Sequence, residues 1–214
     1  MTKIQEIATA VENGKTKLIE GLVQEALDSG EDPNAILEEG MVAAMAIIGA
    51  KFQTNEVFVP EMLVSAKTMK KGVEILRPHL TSGSLGKLGK FIVGTVAGDL
   101  HDIGKNLVAL MIESAGFEVI DLGVDVPPEK FIEALNENPD CKLIGVSSLL
   151  TTTMLGLKDI VDAVHAEGYK DKVKIMVGGA PVTQEYADEI GANAYTPDAG
   201  SAATKAIELV SIAS

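Results

Sequence analysis

The sequence predicts two parts, a four-helix bundle followed by an α/β domain built on a five-stranded parallel sheet. Three observations carry this. The 214 residues exceed one ordinary core, because domains cluster at roughly 100–150 residues. Up to about Leu76 the apolar residues recur at helical spacing, whereas from about Lys90 short apolar runs alternate with amphipathic stretches. Between them, Thr81-Ser82-Gly83-Ser84-Leu85-Gly86 has little to bury and reads as a flexible linker. The expected division is therefore 1–80, a linker over 81–89, and 90–214.

In the first part, Ile4, Ile7, Ala8 and Val11 form one helical stripe, and Leu18, Leu22, Val23, Ala26 and Leu27 a second, stopped by Ser29-Gly30. Asp32-Pro33 opens the third helix, with Asp as cap and Pro where a missing N–H costs nothing. Its stripe runs through Ile36, Leu37, Met41, Met45, Ile48 and Phe52 to a break at Thr54-Asn55. Pro60-Glu61 starts the fourth, which carries Met62, Leu63, Ala66, Met69, Val73 and Leu76. Short loops between them favour an antiparallel bundle.

The second part reads as strand and helix in turn: Phe91 to Ala97, then Lys105 to Ala115; Phe117 to Leu122, then Pro128 to Asn136. Leu143 to Val146 precedes Leu155 to Ala166, Val173 to Val177 precedes Thr183 to Ile190, and Ala194-Tyr195 precedes Ser201 to Ile212. Five such alternations imply a doubly wound, Rossmann-like sheet covered on both faces. In the flavodoxin-like strand order, ligands bind at the carboxyl ends of strands one and three.

Composition narrows the function. With aromatics at 4% and no Trp, the cores are expected to be aliphatic. A net charge of −13 excludes a surface that neutralises phosphates, so nucleic acid is not an expected partner; the acidity serves solubility or steers a basic partner. The single Cys141 opens an apolar run and reads as a small buried hydrophobe. Neither a signal peptide nor a stretch long enough to span a bilayer is visible, and a cytoplasmic protein is expected. His79, beside Pro78, and His165, near a helix end where positive charge suits the dipole, are not proposed ligands.

Chemistry should therefore concentrate on three turns. After strand one comes Gly98-Asp99-Leu100-His101-Asp102-Ile103-Gly104. Asp99 can accept a hydrogen bond from one ring nitrogen of His101 and leave the other as base or metal ligand; equally, Asp99 or Asp102 can simply cap the helix. After strand three, Ser147, Ser148, Thr151, Thr152 and Thr153 concentrate hydroxyls that can meet a polar ligand, bond to Asp99 across the crevice, or cap the next helix. Strand four ends in Gly178-Gly179-Ala180, which either admits a flat ligand or makes a tight turn before Pro181.

Taken together, Asp99-x-His101-x-x-Gly104, Ser147-x-Leu149 and Gly178-Gly179, in this order, resemble the cobalamin-binding signature of methionine synthase, corrinoid-dependent mutases and the corrinoid proteins of methyltransferase systems. The resemblance implies that His101 is the lower axial ligand to cobalt, oriented by Asp99, with Thr153 at the position of a Ser in methionine synthase. The cofactor's displaced tail would lie along Gly104, Ser147, Leu149, Gly178 and Gly179, with Thr151, Asp102 and Ala199 lining the cofactor. It further implies that Phe58-Val59-Pro60-Glu61-Met62 belongs to a helical cap, in which Phe52 and Val59 cover the upper corrin face; bundle core is the other role open to Phe52.

Such a protein is not catalytic alone. It would shuttle a methyl group from a donor:corrinoid methyltransferase to a corrinoid:tetrahydrofolate-type methyltransferase, with a reductive activase as a further partner and the 81–89 linker as hinge. Methoxylated aromatics, methylamines and methanol are all donors consistent with the resemblance. A mutase subunit would share the motifs without this four-helix cap, and a cobalamin-dependent sensor would bring a DNA-binding region. A phosphorylation receiver, of the same sheet order, would need an Asp where Ser147 stands.

Overall fold

The computed structural model describes residues 1–80 and 88–212, so the linker expected over 81–89, and with it the hinge, falls mostly outside the described residues. Two compact units result, a helical one and a sheet-bearing one that begins at Leu88.

The helical unit contains α1 (Lys3–Glu12), α2 (Ile19–Asp28), a short α3 (Pro33–Ala35), a π-helical segment (Ile36–Val42), α4 (Ala43–Gln53) and α5 (Val59–Leu76). Thr2 and Gln5 cap α1 reciprocally, and the Asp32 carboxylate accepts the Asn34 N–H at 3.3 Å, as the cap reading expects. The π-helical segment is not foreseen by the 3.6 period. Ile36, Leu37, Gly40 and Met41 are buried along it, and Gly40 lies where a Cβ would stand 3.3 Å from Ile7 of α1. Asn55, at φ 59, turns the chain between α4 and α5, and the Glu61 carboxylate accepts the Phe58 N–H at 3.1 Å to start α5.

In the sheet-bearing unit, β1 (Lys90–Thr95), α6 (Ile103–Ser114), β2 (Glu118–Asp121), α7 (Pro128–Glu137), β3 (Leu143–Ser147), α8 (Leu155–Ala166), β4 (Lys174–Gly178), α9 (Gln184–Ile190), β5 (Ala194–Tyr195) and α10 (Ala199–Ile212) alternate without exception. All pairings are parallel in the order β2-β1-β3-β4-β5, the predicted flavodoxin-like order. Because only the β1 to β2 connection moves in one direction along the sheet, right-handed crossovers place α6 on the face opposite α7, α8 and α9.

The expectation of purely aliphatic cores needs one correction. Phe91 and Phe131 are among the largest fully buried side chains, and glycine makes their room. A Cβ on Gly145 would lie 2.4 Å from the Phe91 ring, and one on Gly94 would lie 2.8 Å from that of Phe131. Around Phe131 pack Ile92, Ile144, Val161 and Ile175. Cys141 is buried and unpaired, its thiol pushed up by burial, which suits a packing role and not a nucleophile. Among the described residues no helix is long and apolar enough to cross a membrane.

Candidate functional site

At the carboxyl ends of β1 and β3, where strand order reverses, the chain turns at Gly98, whose φ of 78 few side-chain-bearing residues adopt. The turn buries Asp99 completely. Its Oδ1 accepts the His101 N–H at 3.1 Å and stands 2.7 Å from His101 Nδ1. Its Oδ2 accepts the N–H of Leu149 at 2.7 Å, that of Leu150 at 3.4 Å and the Thr153 hydroxyl at 3.0 Å. Burial pushes the carboxyl pKa up, but the Leu149 amide, the His101 ring and N–H and the Thr153 hydroxyl outweigh it and hold Asp99 well below the usual carboxylate range. An ionised carboxylate at Nδ1 keeps the proton there and leaves the Nε2 lone pair free on a ring that is 51% exposed.

The resulting linkage predicts a stability effect. Asp99→Ala should cost about 3 kcal/mol at pH 7, since it strands buried donors that met a charge. The wild-type advantage is complete above the ordinary aspartate value of 3.8 and shrinks as pH falls below it toward the lower folded value. Urea unfolding of both proteins at pH 7 and pH 3 checks this; an unchanged difference between the two would contradict it.

Several of the other predicted residues join this network. The Thr153 hydroxyl also lies 2.9 Å from Ser148 Oγ, and its methyl faces Gly98, where a Cβ would stand 3.6 Å away, so Thr in place of Ser keeps the hydroxyl in reach of Asp99. Ser147 Oγ lies 2.8 Å from Thr95 Oγ1, which donates to the His101 carbonyl at 2.9 Å. Asp102 is exposed, and its carbonyl accepts the Asn106 N–H at 2.7 Å as α6 begins. Thr151 is exposed, while Ala199 is buried at the start of α10. Gly179 is confined by a neighbouring backbone: at φ 131, a Cβ there would fall 1.8 Å from the Ser148 carbonyl oxygen. Gly178 is less confined, with the Thr196 carbonyl 3.4 Å from a Cβ. Around Gly104 nothing lies within 4 Å of a Cβ.

The rim of this site is apolar. Leu100, Ile103, Leu149, Leu150 and Leu155 are all exposed, Ile103 at 81%, on the turns after β1 and β3 and the helices they start. Large apolar side chains gathered at water mark a binding surface. His101, a single free imidazole nitrogen within such a rim and beside open space over Gly104, could hold a large cofactor that supplies a metal centre and takes one donor from the protein.

Sequence reasoning missed Thr95 and Asp125, both of which hold the turn after β1. Asp125 carried a signal in hindsight, an acidic residue between Val124 and Val126 where a turn begins. In the helical unit, Phe52 is half-buried near the end of α4 and Val59 is exposed at the start of α5. The most exposed aromatic ring there is Phe58, at 60%, which the sequence reading did not single out.

A doubly wound sheet with a carboxylate-held imidazole at its switch point and an apolar rim is the arrangement that the resemblance to corrinoid-binding proteins implies. Comparison with known proteins agrees: residues 89–207 match the family model of a B12 binding domain, and residues 3–77 match a second B12 binding domain model. A dimethylamine corrinoid protein of Methanosarcina barkeri is 44% identical over 210 residues, 97% of each chain. The trimethylamine corrinoid protein of the same organism is 39% identical over 204 residues, 94% of each. In structure, the methanol:cobalamin methyltransferase complex MtaBC of Methanosarcina barkeri matches with a TM-score of 0.86 at 28% identity, over 98% of this chain and 80% of that one. The chain therefore belongs to the B12-binding corrinoid proteins, carriers in methyltransferase systems, and cobalamin is its cofactor.

Proposed function

We propose that this protein carries methyl groups taken from a methylamine, and that His101 Nε2 is the lower axial ligand of its cobalamin, with the cofactor's own benzimidazole displaced. The observation that supports this most directly is the 2.7 Å contact between His101 Nδ1 and a buried, ionised Asp99. Bound cobalamin supplies a cobalt centre able to take up and give up a methyl group. The chain's own residues do the rest. Asp99 keeps the Nδ1 proton in place, so that Nε2 would be free to hold the cobalt, and Thr153 holds Asp99 in turn.

Gly104, Ser147, Leu149, Gly178 and Gly179 would line the displaced tail, while Gly98, Asp102, Ile103, Thr151 and Ala199 lie beside the cofactor. Phe52 and Val59 would cover its upper face. A domain division at 81–89 belongs to the same reading; it is supported by the compact unit that begins at Leu88 and by family matches on either side. The cytoplasm is the proposed location.

Methylamine is preferred over methanol or a methoxylated aromatic because the relatives at 39–44% identity are named for dimethylamine and trimethylamine, whereas the methanol complex stands at 28%. A methylamine:corrinoid methyltransferase is thus the proposed donor-side partner. On the other side we place a corrinoid:tetrahydrofolate-type methyltransferase, with a reductive activase to restore the carrier.

The donor is tested by offering the reduced, cobalamin-loaded protein to purified methyltransferases for mono-, di- and trimethylamine and for methanol, each with its substrate, and following methyl loading by visible spectroscopy. Loading by a methylamine enzyme is expected. Loading by the methanol enzyme alone would overturn the assignment.

A further inference from the structure

The turn after β1 is also held from the side of β2. Asp125, between β2 and α7, accepts the Gly98 N–H on Oδ1 at 2.7 Å, and its own N–H donates to the Asp99 carbonyl at 3.0 Å. One residue thus closes a ring over the N–H of Gly98 and the C=O of Asp99. It does so at φ 54, in the left-handed region that Asp tolerates better than most residues, and such backbone conformations gather where geometry serves function. Neighbouring bonds anchor the clamp itself: Thr95 N–H donates to the Gly123 carbonyl at 3.0 Å, and Val126 N–H to the Thr95 carbonyl at 2.9 Å.

The left-handed turn at Gly98 carries one bond of its own, from the Asp99 N–H to the Val96 carbonyl at 3.2 Å, and Asp125 ties it from outside. The partners of the Asp99 carboxylate on the β3 side fix where the side chain ends, but not how the backbone arrives. His101 stands only two residues further on.

We infer that Asp125 is a positioning residue for the ligating imidazole: by clamping Gly98 and Asp99 it sets the direction in which Asp99 meets Nδ1, and so the direction of Nε2. Its consequence for ligation rests on the proposed reading of His101, whereas the clamp can be read in the protein alone.

Two full-length variants test it. Asp125→Gly removes the carboxylate while leaving φ 54 unstrained, and Asp125→Asn keeps an oxygen for the Gly98 N–H. Proton NMR of the cobalamin-free chain follows the His101 Nδ1 proton, assigned by its absence in His101→Ala; visible spectra of the loaded chain follow nitrogen ligation. Asp125→Gly should broaden or lose the proton signal and lower the ratio of ligated to unligated cobalamin about tenfold, the effect of one hydrogen bond to a charged group. Asp125→Asn should restore most of both. Wild-type behaviour of Asp125→Gly, or an equal deficit in Asp125→Asn, would overturn the inference. So would collapse of the helical circular dichroism in Asp125→Gly, since the residue would then serve the fold and not the imidazole. A wild-type chain with no nitrogen-ligated spectrum would instead defeat His101 as ligand, and the NMR arm would still decide the clamp.

Discussion

Alanine at position 179 should destabilise the sheet-bearing unit by about 3 kcal/mol, the range of a substitution that meets both steric overlap and a forbidden backbone angle. The added Cβ would sit 1.8 Å from the Ser148 carbonyl oxygen and 2.8 Å from its carbon, and φ 131 is closed to a side-chain-bearing residue. Backbone, not a flexible side chain, is in the way, so the turn after β3 must move. Ser148 N–H donates to the Gly178 carbonyl at 3.1 Å, and the next amide, Leu149, binds Asp99. Displacing Ser148 therefore loosens the Asp99 carboxylate as well as the sheet, and weaker cobalamin retention should accompany the lost stability. Urea unfolding measures the first effect. Gly104→Ala is the control, because its Cβ meets nothing within 4 Å and its helical position favours alanine. A Gly179→Ala midpoint equal to that of the control would mean that the turn has room the geometry denies it.

The roles of Gly179 and of the π-helical segment show where a one-dimensional reading ends. Alternation of apolar runs with amphipathic stretches is a local signal, so the five strands and the order of the helices were legible from the sequence, with most boundaries displaced by a residue or two. The switch point followed from strand order, and the Asp99–His101 spacing placed carboxylate and imidazole within reach of each other. What the sequence could not resolve was which of two physical demands each small residue answers. Gly178 and Gly179 look alike as letters, yet only Gly179 is forced by a neighbour's backbone, and that neighbour comes from another strand. Likewise Gly94 and Gly145 exist to seat Phe131 and Phe91, pairings that require the sheet register to be known. Thr95 and Asp125 act through hydrogen bonds to the backbone of the turn after β1, and such bonds carry little signature in sequence. The π-helical segment escaped because its buried residues, Ile36, Leu37, Gly40 and Met41, still fall on a roughly helical stripe.

Replacing His101 with alanine should abolish the nitrogen-ligated visible spectrum of the cobalamin-loaded protein while leaving the cofactor bound. The two effects separate because they depend on different parts of the site. On the proposed reading, ligation would need Nε2, whose availability follows from the proton held on Nδ1 by Asp99. Retention, on the same reading, would draw on the apolar rim of Leu100, Ile103 and Leu155 and on the open surface at Gly104, none of which the substitution removes. The fold should also tolerate the change, since the backbone N–H of residue 101 still meets Asp99 Oδ1, and Leu149 and Thr153 still meet Oδ2. Loss of the imidazole leaves a ring-sized space beside Asp99, so added imidazole should restore the wild-type spectrum in His101→Ala. Reconstitution with hydroxocobalamin, removal of excess cofactor and visible spectroscopy of both proteins measure all three expectations. Identical spectra would keep the pocket but remove His101 as its ligand. Loss of cobalamin from the variant alone would mean that the single nitrogen, and not the apolar rim, carries most of the affinity.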